Sequence, residues 1–102
     1  MNIKNWIGLI KPEIRDDESL VITSAIGKIL DGKSNMDMKG LAKHGATIMR
    51  FMSRMNLSDD VVIAETTNFR LIMVKAGPYI VMAIGERFTE EYMKNLIERL
   101  FK

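Results

Sequence analysis

Three runs of consecutive apolar residues constrain this chain more than any other feature: Val61-Val62-Ile63-Ala64, Leu71-Ile72-Met73-Val74 and Ile80-Val81-Met82-Ala83-Ile84. Each is short, rich in branched residues and bounded by turn formers, so each reads as a β-strand. None alternates apolar with polar, as a strand wetted on one face does. A sheet built from them has to be covered on both faces. The connections, Thr67-Asn68 and Gly77-Pro78, are short enough to make the three strands antiparallel neighbours, which leaves helices to supply both covering layers.

The remaining elements fit that demand. Leu20-Val21-Ile22-Thr23-Ser24-Ala25 and Lys28-Ile29-Leu30-Asp31-Gly32 flank Ile26-Gly27 and predict two more strands joined by a tight turn. A long helix is expected from about Met38 to Asn56, capped by Asn35 or Asp37 and ended by Asn56, Ser58 and Asp59. A last helix is expected from Glu90 to Phe101, with Thr89 as its cap and Glu90 and Glu91 well placed in its first turn. At the other end, Ile3, Trp6, Ile7 and Ile10 recur at helical spacing and predict a short amphipathic helix over residues 1–12 that stops before Pro12. So short a helix does not persist alone. It either docks on the domain or lies on a membrane surface with Trp6 in the interface, for which the one lysine among Met1 to Ile10 is thin support. The order α-β-β-α-β-β-β-α defines an α+β fold with a five-stranded sheet, the long helix on one face and the terminal helices on the other. A chain of 102 residues holds one such domain, spanning residues 1–102.

Composition excludes most chemistry. With no cysteine there is no disulfide framework, thiolate nucleophile or zinc ribbon, and His44 is the only histidine. His44 has no carboxylate three or four residues away on its helix and reads as a packing or interface residue. No phosphate-binding loop, dinucleotide fingerprint or nucleophile elbow is present. The acidic clusters Asp16-Asp17-Glu18 and Asp59-Asp60 adjoin strand starts, where turn and gatekeeper roles suffice. A non-catalytic domain with no catalytic residue, metal or cofactor is the expectation. No apolar run approaches the roughly 20 residues that span a bilayer, and neither a cleavable signal nor a lipidation motif is seen. The expected location is therefore cytoplasmic, without integral membrane association.

The central helix says most about partners. Met38, Leu41, Gly45, Ile48, Met52 and Met55 form a continuous seam, widened by Ala42, Ala46 and Met49 on one side and Phe51 on the other. The apolar arc spans roughly 200°, whereas a helix lying on a sheet needs a stripe of about 100°. So short a chain has no spare element for the remainder, which predicts a partner subunit; burial under loops and the N-terminal helix is the alternative. Opposite the arc, Lys39, Lys43, Arg50 and Arg54 fall within roughly 60° of one another with no acid among them. The stripe is either a solvated face or a docking surface for an acidic protein. Nucleic acid is disfavoured, because no aromatics interleave with it and 15 basic against 13 acidic residues is a small excess.

The strand-turn-strand Leu20 to Leu30 with Gly27 at its turn, the helix segment Leu41-Ala42-Lys43-His44-Gly45-Ala46, the strands Val61-Val62-Ile63 and Phe69-Arg70-Leu71-Ile72-Met73-Val74, and the closing Leu96-Ile97-Glu98-Arg99-Leu100 together resemble the Roadblock family, over Ser19 to Leu100. The resemblance implies a five-stranded antiparallel sheet and a homodimer made by pairing long helices and third strands. It implies a non-catalytic scaffold or regulator of small Ras-like GTPases, docked on the helical face. Dimer contacts would then fall to Met38, Leu41, Gly45, Ile48 and Met52 with Val61, Val62 and Ile63. Partner docking would fall to Lys39, Lys43, Arg50 and Arg54. Two other classes stay open: a profilin-like or PAS-like sensor enclosing a small ligand, and a nucleic-acid or membrane-surface module using the basic stripe or the N-terminal helix.

Overall fold

The computed structural model describes residues 1–34, 37–40, 43, 61–65 and 70–101. Five strands, β1 (Ser19–Ser24), β2 (Ile29–Lys33), β3 (Val61–Glu65), β4 (Arg70–Ala76) and β5 (Tyr79–Ile84), form one antiparallel sheet in the order β2-β1-β5-β4-β3. The β1–β2 hairpin expected from the sequence is present, with Gly27 at φ 87° in its turn, and β3, β4 and β5 are antiparallel neighbours as expected.

Strand periodicity sorts the sheet into two apolar faces. On one, Leu20, Ile22, Ile72, Val74, Val81 and Ala83 meet Trp6, Ile10 and Ile14 from the N-terminal segment and Phe88, Met93, Leu96 and Leu100 from the C-terminal one. The last three face inward from helix α2 (Glu90–Phe101), whose bounds match the sequence reading. Thr89 caps it as expected, its Oγ1 accepting from the backbone N–H of Tyr92 at 3.1 Å. On the other face Val21, Met73, Ile80 and Met82 are buried, with Ile29, Met38, Val62 and Leu71 packed against them. Residues 38–40 and 43 are helical and follow Asp37, where the central helix was expected to begin. Asn35, Leu41, His44, Gly45, Ile48, Arg50, Met52, Arg54, Asp59-Asp60 and the turn residues Thr67 and Asn68 lie outside the described residues.

The N-terminal segment departs from the expected regular helix. One turn of α1 (Ile3–Asn5) leads into a π-helical turn (Trp6–Ile10) and then a 3₁₀ turn (Lys11–Glu13) that contains Pro12 instead of ending before it. Proline fits because it stands in the first turn, where its missing N–H is not needed. The wide turn brings Trp6 and Ile10 to the core, both fully buried, and leaves Ile3 and Ile7 exposed. The segment is docked, and polar groups hold it there. Asn2 caps its start, and the Asn2 N–H and the Asn5 side-chain amide donate to the carbonyls of Leu100 and Arg99 at 2.8 and 2.6 Å. Those carbonyls lie in the last turn of α2, where the helix itself supplies no donors.

A second fastening closes the opposite end. Glu18, just before β1, is buried at 5% exposure and accepts from Arg87 through both carboxylate oxygens, at 2.6 and 2.8 Å. Arg87, just after β5, also donates to the Glu13 carbonyl and the Tyr92 hydroxyl, and its guanidinium lies 5.0 Å from the Phe88 and Tyr92 ring centres. The bidentate pair and the two rings fix where both central strands meet the terminal helices. The sequence reading of Asp16-Asp17-Glu18 as one turn cluster is therefore corrected: Asp16 and Asp17 are exposed, whereas Glu18 is a buried ion-pair partner. Gly85 is packed into the same corner, where an added Cβ would come within 2.8 Å of the Phe88 ring and 3.2 Å of Glu18 Cγ.

This corner governs stability in two testable ways. Gly85→Ala pushes the Phe88 ring out of its seat and lowers unfolding free energy by about 1–3 kcal/mol, measured by urea denaturation. Hydrogen bonding to Arg87 holds the Glu18 carboxyl below the ordinary glutamate range, against a smaller opposing effect of burial, with the Arg15 N–H assisting. A carboxyl depressed in the folded state stabilises fully above its unfolded pKa, and the gain drains away as pH falls through the depressed value. Glu18→Gln should cost about 3 kcal/mol at neutral pH, because it leaves a partly buried guanidinium without its counter-charge. It should also flatten the acid side of the stability–pH curve; an acid limb identical to that of the parent would contradict the assignment.

Candidate functional site

The two edges of the sheet are treated differently by the sequence. β2 (Ile29–Lys33) is short, contains Asp31, Gly32 and Lys33, and pairs with β1 through an irregular register between Ile22 and Thr23. Charge, glycine and a bulge are the usual devices that blunt an edge against further pairing. β3 (Val61–Glu65) pairs with β4 in unbroken register from Val61↔Val74 to Glu65↔Arg70 and carries none of these devices along Val61-Val62-Ile63. Among the described residues no strand pairs with its outer side.

The side chains of β3 are split by the pleat. Val61 lies opposite Val74 and packs with the terminal-helix core, whereas Val62 lies opposite Met73 and packs into the other face. Ile63, opposite Ile72 and on the same face as Val61, is 42% exposed. Met38 reaches the same core cluster as Val62, so the start of the central helix and β3 border one sheet face. Among the expected docking residues, Lys39 and Lys43 are described and both are exposed. Val61, Val62 and Ile63 thus share the β3 edge, whereas Met38 lies over the β2 side of the sheet, its sulfur 3.1 Å from where a Cβ on Gly32 would stand.

That edge was not legible in the residues alone. The three apolar runs read as consecutive hairpins, and nothing in them says that β5 continues onto β1, which is what pushes β3 to the outside. An open cavity of about 470 Å³ lies at the end of β5, beside Arg15, Asp17, Glu18, Gly85 and Arg87. Its most buried charges, Glu18 and Arg87, already satisfy each other. Among the described residues no group of three or more His, Cys, Asp or Glu side chains is placed to hold a metal ion, and no helix is long and apolar enough to cross a membrane.

No protein-family model matches the sequence, and no curated protein matches it. Solved structures do match its fold. MglB from Myxococcus xanthus superposes with a TM-score of 0.70 at 16% identity, covering 80% of this chain and 78% of that one. The gliding protein MglB from Thermus thermophilus gives 0.70 at 13% identity over 80% and 73%. A Roadblock/LC7 domain from Streptomyces avermitilis gives 0.58 at 13% identity over 81% and 75%. Element order, the five-stranded antiparallel sheet and these superpositions agree that the fold of this chain is the Roadblock fold.

Proposed function

We propose that this protein is a non-catalytic homodimeric scaffold that binds and regulates a small Ras-like GTPase in the cytoplasm. The observation that carries the pairing is that, among the described residues, β3 ends the sheet with the apolar run Val61-Val62-Ile63, whereas the opposite edge, β2, carries Asp31, Gly32 and Lys33. Two copies meeting at β3 would continue one sheet through both, pairing the outer backbone groups that a solitary domain leaves to water. Ile63 would lose its exposure, and the central helices, which start at Met38 on the other sheet face, are the second contact this reading assigns. Leu41, Gly45, Ile48 and Met52 are the residues this reading assigns to that helix contact.

The GTPase part rests on the family resemblance and on charge. Lys39 and Lys43 are exposed on the helix that would line the dimer's helical face, and Arg50 and Arg54 continue the stripe in sequence. A row of cations with no acid among them suits an acidic partner surface. Charged rims chiefly raise association rates and give salt-sensitive binding. The sensor and nucleic-acid readings have no comparable observation in their favour.

The test is capture of Ras-like GTPases from the source organism, measured with the purified full chain. The double variant Lys43→Glu with Arg50→Glu is expected to weaken binding by at least about tenfold at low salt, with the difference shrinking as salt rises. Unchanged binding would remove the stripe from the docking surface.

A further inference from the structure

β3 fixes more about a second copy than the edge it joins. A two-fold axis that sets β3 antiparallel to its own copy has to stand perpendicular to the sheet. An axis within the sheet plane either leaves the two strands parallel or turns β3 onto itself. With a perpendicular axis both copies keep the same face up, and each residue lies opposite one that points the same way. Along β3, Val61 packs on the terminal-helix face, Val62 packs on the other, and Ile63 returns to the first. Odd positions therefore meet odd positions and even meet even, so the axis passes through a residue and never between two.

Charge chooses the residue. An axis at Val61 sets Ile63 opposite Asp59 of the second copy, and an axis at Ala64 sets it opposite Glu65, in both cases an exposed isoleucine against an acid. An axis at Glu65 sets that acid against itself. An axis at Val62 sets Glu65 opposite Asp59, acid against acid at both ends of the seam, and like charges directly opposite destabilise a strand pair. An axis at Ile63 avoids all of these. Ile63, which its own domain leaves 42% exposed, then meets Ile63, and Val62 stands opposite Ala64. Val61, which already packs into its own core, stands opposite Glu65, whose neighbour on the other side is Arg70. Ile63 is also the middle of β3 (Val61–Glu65), so all five residues of each strand are paired. We propose that a second copy, joined at β3 as read above, does so in this single register, with the two-fold axis through Ile63; the register rests on that pairing and adds which residues stand opposite one another.

The sequence contains no cysteine, so one introduced thiol reports one contact. Directly opposite residues have Cα atoms about 4.5–5.5 Å apart, within disulfide reach. Moving the axis by one residue separates the two copies of position 63 by about 8 Å, beyond that reach. Under mild oxidation of the full chain, Ile63→Cys should therefore cross-link at least about tenfold faster than Lys75→Cys, an exposed control on β4. Val61→Cys and Glu65→Cys chains, mixed and allowed to exchange, should give the cross-linked hetero-pair, and neither should cross-link alone. That mixture decides the matter if Ile63→Cys does not itself pair, and absence of the hetero-pair would then overturn the register. Light scattering run alongside separates the two levels of failure. A parent of single-chain mass would overturn the pairing and the register with it. A paired Ile63→Cys that cross-links no faster than Lys75→Cys would overturn the register alone. Faster cross-linking of Val62→Cys than of Ile63→Cys would do the same, by moving the axis to Val62.

Discussion

A sheet that is apolar on both faces has to be dried twice, and the rest of this molecule is arranged around that requirement. One face is closed by the two chain termini acting together, with Trp6, Ile10 and Ile14 interleaved with Phe88, Met93, Leu96 and Leu100. The other face holds Val21, Met73, Ile80 and Met82 beneath Met38, at the start of the central helix. Faces can be closed within one small chain, but an open sheet also has two edges. β2 manages its edge with Asp31, Gly32, Lys33 and an irregular register. β3 offers the apolar run Val61-Val62-Ile63, with its one charge, Glu65, at the far end of the strand. The proposed second copy answers that asymmetry.

Closure of the terminal-helix face depends on two fastenings at opposite ends of α2. Asn2 and Asn5 satisfy carbonyls in its last turn, so the N-terminal segment, too short to be a stable helix by itself, gains order from the helix it completes. The Glu18–Arg87 pair works at the other end, where β1 begins and β5 finishes. It draws in Tyr92 from α2 and the carbonyl of Glu13 from the N-terminal segment. β1 and β5 are neighbours at the middle of the sheet, so this corner fixes the central strands and leaves β3 as the edge strand that it does not reach.

Much of this was legible in the sequence because local chemistry and tertiary demand agree. Thr89 with Glu90 and Glu91 marks the start of α2, and Met93, Leu96 and Leu100 mark its inner face. Gly27 marks the β1–β2 turn. The N-terminal segment was read too regularly: helical spacing treats Ile3, Trp6, Ile7 and Ile10 as one stripe, whereas the π-helical turn keeps only Trp6 and Ile10 inside. Glu18 was missed because its partner lies 69 residues away, and no local pattern links an acid in an acidic cluster to an arginine that distant. The edge position of β3 follows from β1 pairing with β5, a long-range choice that no single strand encodes.

The proposed pairing of two copies through the outer edge of β3 is open to direct measurement. Static light scattering of the full chain at micromolar concentration tests it most directly, run beside Ile63→Lys, which places a charge at the proposed seam. Pairing at β3 gives twice the 11.6 kDa chain mass for the parent and the single-chain mass for the variant. A parent that scatters as a single chain, or an Ile63→Lys variant that remains paired, would contradict it.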